Sequence, residues 1–194
     1  DMIATVFKKT IEAEISLPVP RMTYAEALER FGVHNPDLRF GMELINITEL
    51  VKRCGFKVFA SVAESGGLVK AINAKGCSTF SRRELDELTD FVAIYGAKGM
   101  AWVKIQEDGT WQSPIAKFFT EQQLADITSA LNAEPGDLLL FGADTPANTT
   151  DALRPLRGTL GNKLGPADPN RHPLFWITYL SLLAWDARPP RASA

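Results

Sequence analysis

Cysteine and histidine are scarce in this 194-residue chain, two of each, and neither pair is arranged for chemistry. Cys54 and Cys77 form no C-x-x-C motif, which removes the usual basis for zinc binding and thioredoxin-like exchange. They are expected to be reduced thiols packed in the interior. His34 precedes Asn35-Pro36 and His172 precedes Pro173, turn contexts that hold no rigid partner for a catalytic triad or a metal site. No apolar run reaches the roughly 18 residues of a membrane span. The first residues, Asp1-Met2-Ile3-Ala4, do not form a basic region leading into an apolar stretch. The expectation is a cytoplasmic protein with no membrane contact.

Excess charge of one sign is missing as well. Lys plus Arg number 21 against 23 Asp plus Glu, a formal charge of −2. Non-specific affinity for nucleic acid needs many phosphates neutralised together, so DNA binding is not expected. Any RNA contact must be a local patch on a nearly neutral body. There is no G-x-S-x-G, no H-E-x-x-H, no Walker loop and no dinucleotide fingerprint. What remains is a composition with 45% hydrophobic and 23% charged residues, which suits one globular domain with pieces of another.

Helix ends are well marked. Ile3, Val6, Phe7 and Ile11 share helical spacing over residues 2–12, before Leu17-Pro18-Val19-Pro20 breaks the pattern. Thr23 and Glu26 have the spacing of a capping box, with Gly32 placed to stop the helix. The same spacing recurs at Asn46 and Glu49 with Gly55, at Ser81 and Glu84 with Gly96, and at Thr120 and Gln123. Between them, residues 56–62 read as a β-rich strand, turning at Gly66-Gly67 into a second strand over 68–74. Residues 100–106 and 110–112 flank Glu107-Asp108-Gly109 as a hairpin. Leu138–Phe141 and Leu174–Leu180 complete the strands. The order predicts an α+β fold with a mixed, antiparallel-leaning sheet covered by helices.

Three parts are expected: 1–44, with two helices and a proline-rich strap; 45–165, a compact body; and 166–194, a returning strand and a frayed tail. Glycines 158, 161 and 165 lack phosphate-loop spacing and read as two helix or turn terminations. Glu84, Asp86, Glu87 and Asp90 read as a solvated helix face whose first-turn acids complement the macrodipole. Basic candidates Lys98, Lys104, Lys117, Arg154, Arg157 and Lys163 alternate with Trp102, Trp111, Phe118 and Phe119, which could stack bases. A core of aromatics with ordinary surface lysines is the competing account. On residue chemistry alone the chain is a non-catalytic α+β module.

Several stretches resemble bacterial-type aspartyl-tRNA synthetase in sequence order. Pro18-Val19-Pro20-Arg21-Met22-Thr23-Tyr24, Phe31-Gly32 and Asn35-Pro36-Asp37-Leu38-Arg39-Phe40-Gly41 resemble the region after that family's second class II motif. Tyr95-Gly96-Ala97-Lys98-Gly99-Met100-Ala101-Trp102 and Ser113-Pro114-Ile115-Ala116-Lys117-Phe118 are similar to its inserted GAD domain, as are Pro135-Gly136-Asp137 and Leu156-Arg157-Gly158-Thr159. Phe175-Trp176-Ile177 resembles the strand that returns to the catalytic domain. The resemblance implies a GAD-type body at 45–165, flanked by 1–44 and 166–194 as edge pieces of a class II catalytic domain. It implies a parent that joins aspartate to tRNA through an aspartyl-adenylate, using ATP and Mg²⁺ and working as a homodimer. The family's ATP- and aspartate-gripping motifs lie outside the matched segment, so no catalytic residue, cofactor or metal ligand is carried over here. The segment is then an accessory module, with Lys98, Lys117 and Arg157 as candidate tRNA contacts. The alternative is a stand-alone GAD-like module that binds tRNA or a protein.

Overall fold

In the computed structural model, residues 2–164 and 172–180 are described. The tail expected to fray and the glycine at 165 lie outside them. Among the described residues seven helices and seven strands run, in chain order, as α1 Met2–Ile11, β1 Arg21–Thr23, α2 Tyr24–Phe31, β2 Ile45–Asn46, α3 Thr48–Val51, α4 Lys57–Glu64, β3 Leu68–Ala74, α5 Arg82–Ile94, β4 Ala101–Ile105, β5 Trp111–Gln112, α6 Glu121–Ala130, β6 Leu138–Asp144, α7 Pro146–Lys163 and β7 Trp176–Thr178, with one 3₁₀ turn at Ala116–Phe118.

Five strands form one antiparallel sheet in the order β2-β3-β6-β4-β5. The long central pair, β3 and β6, aligns Leu68 with Asp144 and Ala74 with Leu138. Because side chains alternate across a strand, Ile72, Ala74, Leu138 and Leu140 face one way, into a core with α5 and α7. Val69, Ala71, Leu139 and Phe141 face the other, against α3, α4 and α6. Both faces are thus covered, which is why these strands read as near-continuous apolar runs. The edge strands β2 and β5 have two residues each, too short to recruit a foreign strand. The α+β expectation holds for this body.

The caps account for where the helices begin. Ser81 Oγ accepts from the Glu84 amide while the Glu84 carboxylate accepts from the Ser81 amide, and Thr120 with Gln123 repeats the exchange. Thr23 accepts from the Glu26 amide, and Gly32, at φ 71°, ends α2 in the left-handed turn that glycine adopts freely. At Asn46 the expected box is replaced. The Asn46 Oδ1 accepts from the Thr48 amide and hydroxyl, and α3 is a single turn.

Two expectations are corrected. Residues 56–62 are not a strand: they enter α4, where Phe59 and Ala63 are buried four residues apart, a helical period within a β-rich composition. Phe59 packs its ring 4.9 Å from Phe56 and 5.9 Å from Phe141. Second, Gly158 and Gly161 terminate nothing; both lie within α7, which runs on to Lys163 despite an internal Pro155. A Cβ at Gly161 would stand 2.6 Å from the Phe40 ring, so the glycine permits close packing of the helix on that ring, which outweighs its poor helix propensity.

The remaining elements form a smaller unit. β1 and β7 pair in parallel, Met22 opposite Ile177, and cover Ala27 and Phe31 of α2. The expected strand at 174–180 is found as Trp176–Thr178.

Candidate functional site

The α4 helix that replaces the expected strand builds one wall of a groove. Opposite stand β4 and the ends of β6 and α7. The cavity measures about 790 Å³ and is lined by Phe56, Phe59, Met100, Trp102, Phe141 and Asp144, among others, a size typical of ligand pockets. Its far end is closed by a tight approach: a Cβ at Gly67 would lie 2.7 Å from the Asp144 carbonyl oxygen.

Asp144 ends β6 directly before Thr145, the N-cap of α7, whose Oγ1 accepts from the Asn148 amide. Its Oδ1 accepts from the Thr145 amide at 2.7 Å. Its Oδ2 is buried and has no hydrogen-bond partner. The nearest cation is the Lys98 Nζ at 3.7 Å, on a side chain 87% exposed. The groove therefore has aromatic and apolar groups in its lining, a buried carboxylate oxygen that accepts no hydrogen bond, and one exposed ammonium within ion-pair distance of it.

The three candidate tRNA-contact residues are not gathered together. Lys98 lines this groove. Lys117 is exposed on the 3₁₀ turn and lies 5.2 Å from the Phe118 ring centroid; the preceding residues Ser113, Pro114 and Ile115 line the groove. Arg157 is elsewhere and is not at the surface. Only 4% of it is exposed, and it donates to the Met42, Asp37 and Gly41 carbonyl oxygens at 2.7–2.9 Å. Its guanidinium lies between the Phe31 and Phe40 rings, 4.9 and 4.7 Å from their centroids. Burial pushes its pKa down, with Asp37 and Glu43 opposing, but arginine stays charged. The correction has a simple cause: a fixed five-donor fork suits three converging carbonyls as well as it suits phosphate.

Arg157 has a counterpart. Lys70, fully buried on β3, donates to the Glu29 carbonyl oxygen at 2.7 Å and pairs with the Glu29 carboxylate at 3.0 Å. Two buried cations of the sheet body thus hold the backbone of residues 29–42. The acidic run on α5 is a solvated face: Arg82 pairs with Asp86 and Arg83 with Glu87, all exposed. Trp111 belongs to the core, donating its indole N–H to Thr128, and Phe119 packs against it. Cys54 and Cys77 are free and buried, with burial pushing both thiols up.

Among the described residues, no group of three or more His, Cys, Asp or Glu side chains converges to hold a metal ion. No helix among them is long and apolar enough to cross a membrane. Sequence reasoning missed Asp144 and the α4 wall. The signal available was Thr145-Pro146, a capping residue followed by the proline that favours the first helical position.

Comparison with known proteins follows the same division. The GAD domain family model matches residues 59–153, inside the sheet body. An aspartate–tRNA(Asp/Asn) ligase of Syntrophotalea carbinolica is 57% identical over 98% of this chain and 32% of its own length. Enzymes of that name from Geotalea uraniireducens and Desulfotalea psychrophila are 52% and 49% identical, over 100% and 98% of the chain and 32% and 31% of their own lengths. The chain spans about a third of the length of the curated relatives it matches.

Proposed function

Since the chain belongs to the aspartate–tRNA ligase family, as a segment carrying its GAD domain, we propose that it is an accessory, non-catalytic module of a protein joining aspartate to tRNA. The ATP and Mg²⁺ of that reaction would be held outside this segment, in a cytoplasmic and homodimeric parent. Residues 45–165 act as the inserted domain, with 1–44 and 166–194 as outgoing and returning edges of a class II catalytic domain.

One observation carries this reading. The body covers both faces of its sheet, whereas the β1–β7 pair of the flanks packs on α2 and leaves Trp176 exposed. α1 buries no residue, and Met2, Val6, Trp176, Tyr179 and Leu180 are exposed. Two parallel strands alone, β1 and β7, are half of a structure that normally continues under cover. Such surfaces fit docking onto the remaining two-thirds of a longer protein. Identity that runs through the flanks as well as the body favours this over a stand-alone module.

Aspartate-dependent ATP–pyrophosphate exchange tests it. The purified chain is expected to give none above background; robust exchange would overturn the accessory role. Contact with tRNA through Lys98 and Lys117 is the second part of the proposal. A gel shift should weaken steeply with salt, and each Lys→Ala change should lower the salt slope by about 1.

A further inference from the structure

We infer that the groove beside α4, on the side of the sheet away from the flanks, is a docking surface for an acidic amphipathic helix of another protein. The helix places apolar side chains in the groove and carboxylates against Arg53, Lys57 and Lys117. The inference does not rest on the tRNA contact proposed above, with which it shares only Lys117.

Charge is distributed unevenly around this groove. Residues 51–63 and 113–120 together hold four cations, Lys52, Arg53, Lys57 and Lys117, and no acid, on a chain whose formal charge is −2. The fold brings the two segments together: the Gly55 amide donates to the Phe118 carbonyl oxygen at 2.8 Å, and the Phe56 and Phe118 ring centroids lie 5.7 Å apart. Lys52 pairs with Glu49. Arg53, Lys57 and Lys117 are exposed, and among the described residues none of them has a carboxylate within ion-pair distance, although Glu49, Glu64 and Glu121 border the strip. A strip of one sign on a nearly neutral body selects a partner of the other sign.

The groove next to the strip is apolar. Val58 and Pro114 are exposed on it, and Phe56, Val62, Ala101 and Ala143 are partly buried along it. Most of this surface is aliphatic, and the exposed ring, Phe118, already has the Lys117 ammonium 5.2 Å from its centroid and Phe56 beside it. Peptide side chains suit such a surface better than bases do. A helix fits rather than a strand, because β4 is closed here: the Trp102 carbonyl oxygen accepts from the Ser113 hydroxyl at 2.6 Å, and Pro114 has no N–H to offer. With eight residues α4 is about 12 Å long, a length that two turns of a helix match with anchors at i, i+4 and i+7. The flanks lead elsewhere. Lys70 and Arg157 hold residues 29–42 against the sheet face that carries α5 and α7, whereas α4 and Phe56 lie on the other face. A parent reached through those flanks leaves the groove to a separate partner.

Fluorescence-anisotropy titration of the intact chain tests the surface, with a labelled helical peptide that places Leu at i, i+4 and i+7 among Glu and Ala. The controls are the same peptide with Lys for Glu, and one with Ala for Leu. The acidic peptide should bind about tenfold tighter than either control and lose affinity as salt rises. Arg53→Glu with Lys57→Glu, and separately Val58→Asp, should each weaken it about tenfold. All three positions are exposed, so the fold should survive, as circular dichroism checks. No binding at millimolar peptide, equal binding of the Lys control, or unchanged affinity in folded R53E/K57E would overturn the inference. Self-association of the chain that V58D abolishes would make a second copy the occupant, and exclusion of the peptide from the full-length parent would make it the parent's own domains; either result also overturns it. In a tRNA gel shift, R53E/K57E should keep the salt slope of the unmodified chain. Loss of tRNA binding in that variant, with no peptide bound by the unmodified chain, assigns the strip to RNA and sinks the docking surface alone. Peptide binding without any tRNA shift sinks the tRNA contact alone.

Discussion

The sheet body over 45–164 and the flanks at 2–44 and 172–180 dispose of their apolar residues in opposite ways. In the body, Leu138, Leu139 and Leu140 on one strand are all completely buried, because helices cover both faces. In the flanks, α1 is amphipathic yet buries nothing, Met2 is 78% exposed and Tyr179 88%. Only Met22, Ala27 and Phe31 form a small core there. The difference teaches that the two regions answer to different surroundings. The body is stable by its own packing; the flanks are ordered through what they touch, which includes Lys70, Arg157, the close packing of Gly161 on Phe40 and the burial of Leu44 in the body's core.

The contrast is broken most sharply by truncation. Phe141→Ala should cost about 3–5 kcal/mol in urea unfolding, since the ring fills a dry core. Met2→Ala and Val6→Ala should stay within about 0.5 kcal/mol. Equal losses in the two regions would contradict the division. Arg157→Ala comes next, at about 3 kcal/mol, because it strands three carbonyl oxygens and removes an ordered side chain from between two rings. Arg157→Lys should restore only part, an ammonium being unable to span the same fork. The loss should concentrate in residues 29–42, as amide exchange would report.

Asp137 sharpens the comparison from the body's side. Burial alone would raise its pKa, but donors from the Glu134 and Gly76 amides, Asn73 and Lys75 outweigh it and hold the carboxyl below its ordinary 3.8. A lowered native pKa means the unfolded chain takes up the proton first on acidification. The contribution of Asp137 is therefore whole above pH 3.8 and disappears as pH falls through the lower native value. Asp137→Asn should cost about 1–3 kcal/mol near neutrality and flatten the acid limb of a stability–pH curve. The two α7 glycines are expected to respond in opposite directions. Gly161→Ala should destabilise by about 1–2 kcal/mol against Phe40, whereas Gly158→Ala, with nothing within 4 Å, should stabilise by about 0.5–1 kcal/mol.

The capped helices and the long strands of the body are legible in the residues because their signals are local: Ser81 with Glu84, Thr120 with Gln123, the glycine turn at 109. Residues 56–62 are not, because Phe56, Val58, Phe59 and Val62 satisfy a strand composition and a helix period together, and only the covered sheet face decides. The extent of α7 is hidden for a similar reason. Its glycines and Pro155 argue against a helix, and the packing that overrides them comes from Phe40, more than a hundred residues earlier. At the candidate site Lys98 is legible as an exposed cation beside aromatics. Arg157 is not, since charge alone does not tell a surface grip from an internal one, and Asp144 carries no mark but the Thr145-Pro146 helix start that follows it.

Native-state hydrogen exchange on the intact chain addresses the division directly. The amides of β3 and β6 are expected to exchange only through global unfolding, and those of α1, β1 and β7 through far easier local opening. Uniform protection across both regions would contradict a self-supporting body whose flanks await the rest of a longer protein.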